Sequence, residues 1–211
     1  MQTTVADHPL IAHKLTQLRD SNTDTPTFRR LAYELTTLLG YEATRNVKVQ
    51  PVGVQTPVGS ASGVRLARPV PVVVPILRAG IGMLDGISSL LPEADIGFVG
   101  LVRDEQTLLA STYATRLPDD LTGRDTFILD PMLATGGSME TVIRMLADRG
   151  AATVTAICLL AAPEGLAMLG TAFGDEPPIH VVTGAVDAHL NQKGYIVPGL
   201  GDAGDRLFGT I

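Results

Sequence analysis

"LDPMLATGGSMETV", Leu129 to Val142, joins a strand to a helix through a glycine-rich turn. The strand is "TFILD" (Thr126–Asp130), the turn holds Thr135, Gly136, Gly137 and Ser138, and the helix runs through Arg149 to a stop at Gly150. Glycines there let the backbone come close to an anion. The amides that open the helix, with the Thr135 and Ser138 hydroxyls, can surround a phosphate. It is not a Walker-type phosphate loop, because no Lys precedes Ser138. Read alone, the stretch is either a phosphate cradle or an ordinary connection capped by Ser138.

The same rhythm continues on both sides. "PVVVPIL" (Pro71–Leu77) is a short aliphatic run ending in the loop Arg78-Ala79-Gly80, and a helix follows with Ile81, Met83, Leu84 and Ile87 turned inward. "DIGFVGLVRD" is the next strand and ends at Arg103. "ATVTAICLLAA", a helix from Pro163 and "PIHVVTGAVD" complete the series. Strands alternating with helices predict a mainly parallel α/β sheet with right-handed crossovers. Ligands of such sheets bind beyond the carboxyl ends of the strands, so the loops at Arg78, Arg103 and Asp130–Ser138 are expected to lie together.

Ahead of the sheet, Leu10, Ile11, Leu15 and Leu18 recur at helical spacing, with Asp7 as the expected cap and Pro9 in the first turn. Thr25 and Pro26 start a second helix whose apolar face is Phe28, Leu31, Leu35, Leu38 and Leu39. "VKVQPVGVQTP" alternates and reads as an exposed strand or arm. Residues 187–211 form a Gly-rich tail with no room for another strand-and-helix unit.

Composition narrows the function classes. Hydrophobic residues make up 45% of the chain, which argues against disorder; aromatics are only 4%, so the core is aliphatic, which suits buried parallel strands. The formal charge of -6 argues against a general nucleic-acid binder, yet a small phosphorylated ligand needs only local cations and amides. Cys158 is the one cysteine and lies in an apolar run, which excludes an intramolecular disulfide and a thiolate cluster and makes it a buried bystander. His8, His13, His180 and His189 are scattered and read as surface or packing residues, so no protein-only metal site is expected. The polar start is unlike a signal peptide, and the apolar runs are short and interrupted; a cytoplasmic protein without a membrane span is the expectation.

"ILDPMLATGGS" resembles the phosphoribosyl-diphosphate (PRPP) loop of type I phosphoribosyltransferases. "DPMLATGGS" is similar in particular to the uracil phosphoribosyltransferase family. "HPL…HKLT…LRD", "YEATR" (Tyr41–Arg45), "PILRAG" (Pro75–Gly80), "VRDEQT" (Val102–Thr107) and "GYIVPGLGDAGDR" (Gly194–Arg206) carry the likeness in order along nearly the whole chain. The resemblance implies one domain over 1–211: a central mainly parallel sheet flanked by helices, a β-arm, a mobile arm over about 104–118 and a small C-terminal hood over about 187–211. It implies the conversion of uracil and PRPP to UMP and diphosphate in pyrimidine salvage, with Mg²⁺ bound mainly through PRPP and water.

Site roles follow from the same resemblance. Arg78 and Arg103 would meet pyrophosphate oxygens. Asp130 would face the ribose hydroxyls, and Pro131, Met132, Leu133, Ala134, Thr135, Gly136, Gly137 and Ser138 would complete the PRPP loop around the 5′-phosphate. Ile196, Gly201, Asp202 and Ala203 would read uracil. Asp202 would also interact with PRPP, and with Arg103 and Asp130 it forms the catalytic set. Pro131 stands where many type I members carry a second acid, a departure shared by the uracil enzymes. The 103–118 stretch matches the family more loosely: "LLAS" replaces a proline-containing segment, and Arg116 stands where Lys is common. Some members take GTP as an effector and assemble as homodimers or larger homo-oligomers.

Gly199, Gly201 and Gly204 also spell G-x-G-x-x-G, the dinucleotide pattern. That pattern needs a strand before it, a helix after it and a second strand beyond, for which the seven residues after Gly204 leave no room. An RNA-binding pyrimidine regulator on the same fold is the alternative reading, and the absence of a Lys/Arg cluster counts against it.

Overall fold

A computed structural model describes residues 1–103, 110–174 and 177–209. In chain order the elements are β1 (Gln2–Val5), α1 (Pro9–Arg19), α2 (Thr25–Ala43), β2 (Val49–Thr56), β3 (Gly59–Leu66), β4 (Val72–Leu77), α3 (Ile81–Ser88), β5 (Asp95–Ile96), β6 (Phe98–Arg103) and β7 (Ala110–Arg116). They continue with β8 (Asp125–Leu129), β9 (Met132–Leu133), α4 (Gly137–Ala147), β10 (Thr153–Ala161), α5 (Pro163–Phe173), β11 (Ile179–Val186), β12 (His189–Leu190), β13 (Ile196–Val197) and α6 (Ala203–Phe208).

The main sheet runs β1-β11-β10-β8-β4-β6-β7, with β5 beside β4 and β9 beside β10. Every pairing is parallel except β6 with β7. The mainly parallel sheet expected from the alternating sequence is therefore what forms. Its strands read as unbroken aliphatic runs because both faces are covered. Val73, Phe127, Leu129, Ile157, Leu159 and Val182 pack under α1, α2, α3 and α6. The alternate residues Val72, Val74, Ile76, Ile128, Ala156, Cys158 and Val181 pack under α4 and α5. Each fully buried leucine or valine contributes about 1.5–3 kcal/mol.

Chain order and spatial order part company between β4 and β8. From β4 the chain crosses by α3 to β6 on one side; it then returns to β8 on the other side of β4 and crosses by α4, on the opposite face, to β10. The crevice at the carboxyl ends of β4 and β8 is thus the place where this architecture opens a ligand site.

Local readings differ in four places. His8, not Asp7, caps α1: its Nδ1 accepts from the Leu10 amide at 3.2 Å. Ile81, expected inside, is 43% exposed, while Met83 and Ile87 of the same helix are fully buried. "QTTV" at the start is strand β1, added in parallel to β11, although its own residues carry no strand pattern. The tail holds the antiparallel pair β12–β13 and the short helix α6, more structure than its glycine content suggested. The alternating 47–57 segment is half of the exposed hairpin β2–β3. Of the expected mobile arm, 104–109 lie outside the described residues; 110–116 form β7 against β6. No helix among the described residues is long and apolar enough to cross a membrane.

Candidate active site

The crevice between the ends of β4 and β8 holds a cavity of about 800 Å³. Arg78 enters it directly after β4, through a cis Leu77–Arg78 peptide. Gly80 closes this loop where no side chain fits: a Cβ there would collide with the carbonyl of Leu129, the last residue of β8, and with the Ile76 backbone. The two loops are therefore packed backbone to backbone, and Arg78 and Asp130 line one cavity.

Beyond Asp130 the chain is stitched to the sheet before it opens into the loop. The Pro131 carbonyl accepts from the Leu159 and Leu160 amides at 3.0 and 3.1 Å, and β9 pairs with β10. Leu133 is 1% exposed and belongs to the core under α4. Pro131 and Leu133 thus set the path of the loop, while Met132, Ala134 and Ser138 line the cavity. Gly136, at φ +90°, is the residue before α4, and the helix starts with no side-chain cap. Ser138 is inside the helix, so the reading in which its hydroxyl serves as an ordinary cap is not met. The uncapped first-turn amides, with the positive end of the helix dipole, remain available to an anion. Thr135, Gly136 and Gly137 adjoin this wall without being among the cavity's lining residues.

The opposite wall is the hood. Ile196, Gly201, Asp202 and Ala203 all line the cavity, on backbone that runs from β13 into α6. Asp202 caps α6, accepting the Asp205 amide on Oδ1 at 2.9 Å. Among the described residues the Gly201 and Ala203 amides have no protein acceptor. The G-x-G-x-x-G coincidence is resolved by topology: β13 has two residues and pairs antiparallel, so the three glycines belong to no parallel βαβ unit.

The cavity is also lined by Leu77, Ala79, Gly194 and Tyr195, which lie in quoted motifs without an assigned role, and by Leu101 of β6 and Gln192 and Lys193 of the hood, which no motif covers. The turn composition "NQKG" was the available signal. Asn191 Oδ1 accepts the amides of Lys193 and Tyr195 at 2.9 and 3.1 Å and folds that turn against the site. Arg78, Lys193, Asp130 and Asp202 line the same cavity. Arg103 ends β6; its side chain lies outside the described part of the structure.

Other ionisable groups are occupied elsewhere. Burial, and then the negative charge of Asp130, push the Cys158 thiol well up, so it stays a neutral packing group. Burial lowers the pKa of His180, whose Nε2 lies 2.9 Å from Thr4 Oγ1 at the far end of the sheet. Burial opposes the charge of Asp187, but hydrogen bonds from Arg19 and the Gly199 amide outweigh it and hold its carboxyl below the usual range. Among the described residues no cluster of three His, Cys, Asp or Glu could hold a metal by itself.

Residues 5–210 match the sequence family described as uracil phosphoribosyltransferase. The chain is 64% identical, across all of both chains, to proteins named uracil phosphoribosyltransferase from Kineococcus radiotolerans and from a Nocardioides species. It is similar to the solved AQ2163 protein of Aquifex aeolicus, with a TM-score of 0.92 and 39% identity over 99% of each chain. An adenine phosphoribosyl transferase from Trypanosoma brucei, 15% identical, shares the fold at a TM-score of 0.58 over 95% of this chain and 87% of that one.

Proposed function

This chain belongs to the uracil phosphoribosyltransferase family, and from that membership we propose that it joins uracil to PRPP, giving UMP and diphosphate. One observation carries the proposal: a single cavity at the sheet's switch point is lined by residues of the phosphate-type loop and by hood residues whose Gly201 and Ala203 amides have no protein acceptor among the described residues. A sugar phosphate fits the first and a base edge fits the second.

The roles are assigned by the charge that the reaction develops. Breaking the bond from ribose C1 to diphosphate leaves positive charge on the sugar and negative charge on the leaving group. Arg78 takes the departing diphosphate, and Arg103, at the end of the adjacent strand, joins it. The Thr135–Ser138 turn and the opening of α4 hold the 5′-phosphate. Asp130 binds the ribose hydroxyls. Asp202 places negative charge beside the reacting centre while its other oxygen keeps the α6 cap. Uracil presents acceptor, donor, acceptor; the Gly201 and Ala203 amides and the Ile196 backbone match it without titratable side chains. Cytosine would set its amino donor against a donor amide, a mismatch that rejects strongly.

Mg²⁺ fits this donor set as a companion of the substrate rather than as a resident ion. Asp130 and Asp202 are the carboxylates at the cavity, and PRPP oxygens and water would supply the remaining ligands. When bound, the ion offsets diphosphate charge. The same reading places the protein in the cytoplasm, as a self-associating enzyme of pyrimidine salvage with GTP as an effector. Light scattering and a GTP titration of activity test those two properties. The reaction itself is tested by incubating protein with PRPP, Mg²⁺ and uracil: equal amounts of UMP and diphosphate are expected, and neither product without PRPP.

A further inference from the structure

The N-terminal segment ending in Leu18-Arg19-Asp20 contributes nothing to the cavity wall, yet it is tied to the hood by the most buried ion pair among the described residues. Asp187 anchors one side. Its amide donates to the Ala161 carbonyl at 2.9 Å, which fixes it on the carboxyl edge of the sheet, and its side chain is 5% exposed. Arg19 donates to both carboxylate oxygens, Nη1 to Oδ2 at 2.7 Å and Nη2 to Oδ1 at 2.6 Å.

The pair then closes on a single residue of the hood. Asp187 Oδ2 accepts the Gly199 amide at 2.8 Å, and Arg19 Nη1 donates to the Gly199 carbonyl at 2.9 Å. Gly199 has φ +62° and is folded so tightly that a Cβ there would strike the Ile196 carbonyl. Its position therefore fixes how the backbone at Ile196 stands relative to Gly201, the two parts of the hood that meet the cavity. Arg206 reinforces the arrangement, with Nη1 reaching the Leu200 and Leu18 carbonyls at 3.0 and 2.7 Å. Compared with an apolar pair of the same shape a buried ion pair adds little net stability, because desolvation offsets its attraction, although removing one partner alone is costly. Geometry is where this one acts.

We propose that Arg19 and Asp187 are positioning residues for base recognition: they hold Gly199, and through it Ile196 and Gly201–Ala203, at the spacing a pyrimidine edge requires, without touching substrate. The inference rests on the reading of the hood as the uracil wall. An arrangement that reads a planar base through rigid amides tolerates little displacement, so loosening the clamp acts on the base and spares the ribose phosphate, which is held by the sheet.

The test uses Arg19→Lys and Asp187→Asn, assayed below each variant's melting temperature, with uracil and PRPP varied separately. Lysine keeps the charge but cannot span two carboxylate oxygens and a carbonyl from one planar group. The expected result is a KM for uracil raised about tenfold, the effect of one lost charge-assisted hydrogen bond. The KM for PRPP should stay within about twofold, and the preference for uracil over cytosine should narrow. If both KM values stay at wild type, or both rise together in step with falling melting temperature, the positioning role is overturned. Should Asp187→Asn melt too low to assay, Arg19→Lys decides alone. Wild-type protein that forms no UMP overturns the underlying functional reading instead, so the two failures are distinct.

Discussion

Asp202 has an observed structural job and a proposed catalytic one, and substitution can separate them. Its Oδ1 caps α6, and its charge stands at the cavity. Asparagine caps a helix as well as aspartate does, so Asp202→Asn should melt within about 0.5 kcal/mol of wild type. Its kcat/KM should nevertheless fall roughly a hundredfold, the scale of losing one electrostatic stabiliser of the transition state. Asp202→Ala should add about 1 kcal/mol of destabilisation from the lost cap. Thermal melts beside steady-state kinetics separate the two losses; an Asn variant that loses stability and activity in proportion would make Asp202 a cap only. Asp187 gives a pH signature. Its folded-state pKa is depressed, so its stabilising contribution is complete above the unfolded value of about 3.9 and is lost as pH falls through the lower folded value. Denaturant titrations should therefore show the stability gap between wild type and Asp187→Asn constant near neutrality and shrinking below about pH 4.

At the scale of elements, α4 is the informative helix. Gly136 precedes it and no side chain caps it, so Ser138→Ala removes no structural hydrogen bond that the helix start depends on. The variant should keep its melting temperature and raise the KM for PRPP about tenfold. A drop in stability with unchanged KM would return Ser138 to a structural role. What the sequence disclosed and what it withheld divides along the same lines. The aliphatic runs at Val72–Leu77, Asp125–Leu129 and Thr153–Ala161 announce buried strands because their burial on both faces is written into composition. β1 was hard to read: "QTTV" has β-branched residues but is short and largely polar, and it becomes a strand by adding to the edge of β11, a tertiary event. Asp7 is a good capping residue by type, but the chain enters α1 one residue later, and the His8 ring reaches the amide instead. Ile81 fits the helical period, but it sits at the first position of α3, directly after the Arg78–Gly80 loop, and is left exposed.

The whole molecule explains why the site was partly readable. Loops at Arg78 and Asp130 leave strands that are adjacent in space though far apart in sequence, and the switch in chain direction between β4 and β8 makes them meet. That meeting follows from an alternating strand-helix pattern, so this wall of the cavity was legible. The hood side was legible only through family resemblance. Its geometry depends on ties to α1 and α2, including Arg19 to Asp187, Arg206 to Leu18, and Arg206 stacked 4.5 Å over the Phe28 ring. No local pattern near Gly201 encodes partners from the other end of the chain. In the proposed function the work is divided: the sheet side carries the ribose phosphate, and the hood selects the base.

That division is tested most directly by competition among bases. Wild-type protein, PRPP and Mg²⁺ are mixed with equal uracil, cytosine, hypoxanthine and orotate, and the nucleotide products are identified by mass. UMP should form alone, with cytosine disfavoured by at least about a thousandfold, as expected when a donor is set against a donor in place of an acceptor. Formation of inosine or orotidine monophosphate in place of UMP would contradict the assignment of the hood as a uracil reader.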